Sequence, residues 1–200
     1  MEATNQKMNL LKLVFTVLFY LAVSIPFSYG QLAGIYLSKE DFNSNSISTY
    51  AVDGGKLRRG VNGSLVLVDE IGNQSIFKRE EIYGYQNGND VYRNFCKGDN
   101  FKNCGFYKIE DESGIIVYSK PANAPRTGIQ IEYYYSLNRD TQIKSFTRMS
   151  LLEDFALNRS FTDYLLKTPV DKLKQRSHGR FIINVAYNKF KIHSEDSARR

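Results

Sequence analysis

From residue 34 to residue 137 the chain is a succession of short apolar or alternating runs. Most are closed by Gly, Asn or Asp, and after residue 140 the spacing changes. Alternation with period two marks strands and recurrence every 3.6 residues marks helices, because side chains share a face at those spacings. The alternation is clearest over 129–137. Ile129, Ile131, Tyr133, Tyr135 and Leu137 fall on one face, and Gln130, Glu132, Tyr134 and Ser136 on the other. Further strands are predicted over 34–37, 47–52, 74–78, 82–85 and 91–95, and a hairpin over 106–110 and 115–119. Residues 64–69 are apolar on both faces, the pattern of a central strand covered on both sides or of one facing the helices that follow. Residues 86–90 read as a turn, and 121–128, with two prolines, as a loop.

Ser38 followed by Asp41 has the spacing of a capping box, which predicts one helical turn over 38–43 with Phe42 tucked onto the core. Past residue 140, Thr147 caps a helix running to about Leu157, with Met149, Leu152, Phe155 and Ala156 inward. Asn158 and Arg159 interrupt it. Ser160 caps a second helix to Lys167, with Phe161, Tyr164 and Leu165 inward, and Pro169 closes it. Residues 171–179 read as a charged connection. Residues 181–190 read as a third helix, with 181–185 alternatively a strand, and 194–200 as a frayed tail. Strands first and helices last predict an α+β fold: an antiparallel curled sheet or partial barrel of about six to eight strands, followed by two or three C-terminal helices. One globular domain is expected over 31–200, strand-rich over 31–140 and helical over 145–193.

The first 30 residues are of another kind. Lys7 and Lys12 are their only cations, 13–25 is apolar, and Pro26 precedes Ser28, Tyr29 and Gly30. These are the parts of a secretory signal peptide, with cleavage expected after Gly30. Met8 as the true start would give a more usual leader length. The apolar run is shorter than the ~20 residues a spanning helix needs, so no span is expected after cleavage. The alternative is a leader retained as an anchor. Removing Glu2, Lys7 and Lys12 with the leader leaves 25 basic and 20 acidic residues, a net charge of +5.

A composition of 42% hydrophobic and 24% charged residues excludes a disordered tail or a polytopic membrane protein. The content of 2 Cys and 2 His excludes most zinc and iron–sulfur sites built from these residues. Cys96 and Cys104 bracket a polar loop between two alternating runs, so in an oxidising compartment they are expected to close a hairpin as a disulfide.

No catalytic motif, metal set or cofactor signature emerges. His178 and His193 lie outside any nucleophile motif. Carboxylates recur at Asp69–Glu70, Glu80–Glu81, Glu110–Asp111–Glu112 and Glu153–Asp154, and they support an envelope hydrolase as an alternative function. Asp99, Asn100 and Asn103 offer oxygen ligands without EF-hand spacing. Two groups are candidates for binding. Tyr83, Tyr85 and Tyr92, with Arg93, flank the 86–90 turn. Lys172, Lys174, Arg176 and Arg180 belong to a stretch, 165–193, whose only acidic residue is Asp171. Behind a signal peptide, such a basic stretch fits an anionic envelope component or another envelope protein, and no nucleic acid is expected.

Gly34-Ile35-Tyr36-Leu37-Ser38 with Asp41-Phe42, and Ile82-Tyr83-Gly84-Tyr85 before a turn and Val91-Tyr92-Arg93, resemble features of small exported bacterial proteins of unknown function. The resemblance implies export and assigns no activity. These features together predict an exported, non-catalytic binding or interaction module that is periplasmic, on the cell surface or extracellular.

Overall fold

The computed structural model describes residues 33–50, 55–69, 71–96, 104–124 and 128–198. The leader and the 97–103 loop, with Asp99, Asn100 and Asn103, lie outside the described residues.

The chain starts with β1 (Ala33–Tyr36), α1 (Lys39–Asn43) and β2 (Thr49–Tyr50). The Ser38 hydroxyl accepts the Asp41 N–H, and the Asp41 carboxylate accepts the Ser38 N–H, so the expected capping box is present. Phe42 is buried, as its place in that turn requires. A three-stranded antiparallel sheet follows: β3 (Lys56–Arg59), β4 (Leu65–Val68) and β5 (Gln74–Phe77). Strand β3 was not legible in the sequence. It is an edge strand, and the charges that hide its pattern are the ones that protect edges from pairing elsewhere.

The main sheet adds β6 (Gly84–Asn87), β7 (Asp90–Cys96), β8 (Cys104–Asp111), β9 (Ile116–Ala124), β10 (Gly128–Ser136) and β11 (Lys144–Ser145). Its order is β11-β10-β9-β8-β7-β6-β1-β2, open at both ends. Two stretches of this sheet differ from the sequence expectation. Strand β9 continues through Pro121 rather than ending in a loop at 121, because its pairing with β8 ends at Lys108↔Ser119; past that point β9 pairs with β10 alone, where a missing N–H costs no ladder bond on the β8 side. Residues 82–85 are not one alternating strand. Ile82 and Tyr85 pack in one cluster while Tyr83 packs on the other face, because the backbone bends at Tyr83.

The C-terminal part contains α2 (Arg148–Asp154), α3 (Arg159–Lys167), α4 (Val170–Leu173), a two-stranded hairpin of β12 (Arg176–Ser177) and β13 (Arg180–Phe181), and α5 (Ile182–Ala198). Thr147 caps α2 as expected, but Leu151 is its buried residue and Met149 is exposed. Asn158, rather than Ser160, caps α3 by accepting the Phe161 N–H; an Asn side chain reaches that donor as well as a hydroxyl does. The 171–179 connection carries α4 and the β12–β13 hairpin. Helix α5 continues through the expected 194–200 tail to Ala198.

The sheet is covered on both faces. Ile115, Val117 and Tyr135 pack under Leu151, Phe161, Leu165, Leu173, Phe181 and Ile183 of the helical layer. On the same face, nearer the other end, Ile35 and Tyr85 pack under Leu65 of the small sheet. The opposite face, with Tyr107, Tyr118 and Tyr134, is covered by Ile143 from the connection before β11, and Tyr36 by Phe42 of α1. Among the described residues no helix is long and apolar enough to cross a membrane.

Candidate functional site

The β6–β7 hairpin carries the aromatic candidates. Tyr85 and Tyr92 face each other across the ladder and stack, with ring centroids 4.4 Å apart. Tyr85 is buried and Tyr92 half-buried; burial raises the pKa of both hydroxyls. Tyr83 sits edge-on to Phe42. Arg93 is only 5% exposed; its Nη1 donates to the Tyr118 hydroxyl at 3.2 Å and to the Thr141 carbonyl at 3.1 Å. Directly opposite Arg93 on β6 is Gly84, where a Cβ would lie 2.8 Å from the Phe42 ring. The hairpin is therefore interior structure over most of its width, and Arg93 ties the sheet to the connection that covers it.

The basic candidates divide. Lys172 and Arg180 are exposed. Lys174 lies 3.5 Å from Asp171, with its ammonium over the Phe146 ring. Arg176 donates to the Glu110 carboxylate at 2.7 Å and stacks on Phe181, which joins the β12–β13 hairpin to the main sheet.

The described members of the carboxylate groups act mostly as structural acceptors. Asp69 closes a turn through the Asn73 N–H and side chain. Glu81 accepts the Lys78 N–H. Glu110 also accepts the Ser119 hydroxyl, at 2.7 Å. Asp111 accepts the N–H groups of Ser113 and Phe181, each at 2.8 Å. Burial works to raise its pKa, but these donors outweigh burial and hold the carboxyl below the usual range. Glu112 forms a two-pronged pair with Arg139, whose Nη1 also donates to the Phe42 carbonyl and to Asn45. Asp154 accepts the Tyr135 hydroxyl and pairs with Lys144. Glu80 and Glu153 are exposed. Among the described residues no three His, Cys, Asp or Glu side chains gather to hold a metal ion. His178 is exposed at the tip of the β12–β13 hairpin, beside the Ser177 hydroxyl at 3.1 Å.

Cys96 and Cys104 are register partners at the open end of β7 and β8. Residues so opposed have Cα atoms about 4.5–5.5 Å apart, inside the span a disulfide bridges.

One grouping was invisible in the sequence. Arg59, Arg79 and Lys120, with Gly63, Gly105, Phe106 and Pro121, line a pocket of about 230 Å³ where the small sheet meets β8 and β9. The three cations are far apart in the chain and share no motif, so only folding reveals them. A second, larger recess of about 350 Å³ lies along α5, lined mainly by Tyr164, Ile182, Val185, Ala186 and Phe190.

No protein-family model, curated protein or solved structure matches the chain.

Proposed function

We propose that this chain is an exported, non-catalytic binding module for an anionic envelope component. The observation that carries the reading is the use of the carboxylates: Asp69, Glu81, Glu110, Asp111, Glu112 and Asp154 all hold structural hydrogen bonds, and the exposed charge left over is largely basic. A hydrolytic pair needs two carboxyl groups facing one substrate, and side chains bound to their own scaffold serve that role poorly. Export rests on the leader and on the resemblance to small exported proteins. The disulfide rests on the opposed register of Cys96 and Cys104.

The test begins with the native protein recovered from fractionated cells. The reading expects an intact mass matching residues 31–200 in an exported fraction, and binding to an anionic envelope polymer that weakens with salt. A full-length mass in the membrane fraction would favour the anchored alternative. Turnover of an envelope glycan, abolished by substituting one of the carboxylate groups, would favour the hydrolase.

A further inference from the structure

We propose that the free edge of the small sheet is a self-association site, where strand β5 of one molecule pairs antiparallel with β5 of a second copy about a two-fold axis. Strand β5 is an outer strand of the order β3-β4-β5. Gln74, Ser75 and Ile76 are exposed, Ile76 by 67%. The other sheet edges described are charged or short. Strand β3 carries Lys56, Arg58 and Arg59, and β2, β11, β12 and β13 are two residues long. Gln74–Phe77 has no charge, no proline and no break in its register with β4.

The ladder decides which backbone groups are open. The Asp69 N–H donates to the Asn73 carbonyl at 3.0 Å, so Asn73 turns its backbone toward β4. Direction alternates along a strand, so Ser75 and Phe77 also bond to β4, opposite Leu67 and Leu65. Gln74 and Ile76 therefore aim their N–H and C=O groups away from β4, where no hydrogen bond to them is formed among the described residues. Lys78 aims the same way, but its groups are already used. Its N–H donates to the Glu81 carboxylate at 2.9 Å, and its carbonyl accepts the Glu81 N–H at 3.0 Å. The turn closed by Asp69 and Asn73 ends the strand on the other side. The open ladder is thus bounded at both ends.

That bounded edge is complementary to itself. A pair centred on Ser75 sets Ser75 opposite Ser75 of the second copy, and Gln74 opposite its Ile76, twice over. Each Gln74–Ile76 pair then exchanges two N–H···O bonds, and every open donor and acceptor of both edges is satisfied. Centring the pair on Ile76 would instead set Gln74 against the occupied Lys78. The outer face agrees: Ile76 stands beside Val66 of β4, so the pairing covers an apolar row. The cations of β3 stay apart. Five strand spacings of about 4.8 Å separate the two β3 strands, about 24 Å, which exceeds the ~8 Å screening length at physiological salt. An edge strip without charge asks for no oppositely charged partner, and a second copy matches its length.

The test is sedimentation of the protein, as the cell processes it, from micromolar to millimolar concentration. The proposal expects a monomer–dimer equilibrium, with at least tenfold weaker association in Ile76→Lys, whose side chain lies outside the core. The Gln74 and Ile76 amide protons should gain protection from exchange as concentration rises, while that of Ser75, already bonded to β4, stays as it was. Ser75→Cys should cross-link to itself under mild oxidation, because Cα atoms of such a facing pair lie about 4.5 Å apart, within reach of a disulfide. Ile76→Cys should cross-link with Gln74→Cys more readily than with itself. A protein that stays monomeric throughout overturns the proposal, as does an unchanged dimer in Ile76→Lys of wild-type fold. Coupling of Ser75→Cys to another envelope protein and not to itself also overturns it, and assigns the edge to a foreign strand.

Discussion

Arg93 donates a hydrogen bond to the buried hydroxyl of Tyr118, and the Tyr118 hydroxyl in turn contacts that of Ser136 at 3.0 Å. The same guanidinium nitrogen reaches the Thr141 carbonyl. Three strands and the covering connection thus meet at one buried cation. Removing it strands the Thr141 carbonyl and leaves a cavity. Arg93→Ala is expected to destabilise the fold by about 2–4 kcal/mol, measured by urea unfolding, whereas a surface arginine would change stability by less than about 0.5 kcal/mol.

Gly84 is held without a side chain by its neighbours. A Cβ there would lie 2.6 Å from the Tyr92 carbonyl oxygen as well as against Phe42. Gly84→Ala should cost about 1–3 kcal/mol through overpacking. Wild-type stability in this variant would contradict the seating of α1 on the sheet.

Asp111 sets an acid limit. Its folded pKa lies below its ordinary value, so the unfolded chain binds the proton more readily. Its contribution to stability is complete above the unfolded pKa and is lost as pH falls through the folded one. Asp111→Asn should therefore be less stable than wild type at neutral pH, with the gap closing below about pH 4. Chemical unfolding across that range checks both the sign and the convergence.

The tyrosines set an alkaline limit. Burial raises the hydroxyl pKa of Tyr85, Tyr92, Tyr107, Tyr118, Tyr134 and Tyr135. The carboxylates of Glu132 and Asp154 raise Tyr134 and Tyr135 further. A raised folded pKa gives stability that is present below the ordinary phenol value of about 10 and is lost as pH rises through the folded value. Phenolate absorbance should appear in two stages: first from the exposed hydroxyls, then cooperatively with unfolding. A single non-cooperative titration of all the tyrosines would contradict the burial described.

The Cys96–Cys104 bond proposed above closes a nine-residue ring, worth about 2.5 kcal/mol on the loop-entropy account. Native protein should be lighter than reduced protein by the two thiol hydrogens, and reduction should lower Tm without unfolding the domain. Equal masses would contradict the bond.

What could be read in the sequence was whatever a local spacing encodes. Ser38 and Asp41 are three residues apart and predict their own turn. The β8–β9 hairpin announces itself by two apolar runs around Asp111–Gly114, and the β6–β7 turn by its Asn, Gly and Asp. Met149 faces solvent, against the sequence expectation, because helix α2 is only Arg148–Asp154, too short for its apolar residues to define one face, and Leu151 is the residue that packs into the core. Arg139 belongs to no motif in the sequence; it reaches Glu112, Phe42 and Asn45, which only the fold brings near. The pocket lined by Arg59, Arg79 and Lys120 was hidden for the same reason: these residues come from two strands of two sheets and the helical turn Arg79–Glu81, far apart in the chain.

The central claim, recognition of an anionic envelope component without catalysis, is tested most directly by the salt dependence of binding. Native protein would be titrated with an anionic envelope polymer and with a neutral one, from low to physiological ionic strength. The account predicts saturable binding to the anionic polymer that weakens steeply with salt, no binding to the neutral one, and the polymer recovered intact. Binding that ignores both salt and polymer charge, or a shortened polymer, would contradict it.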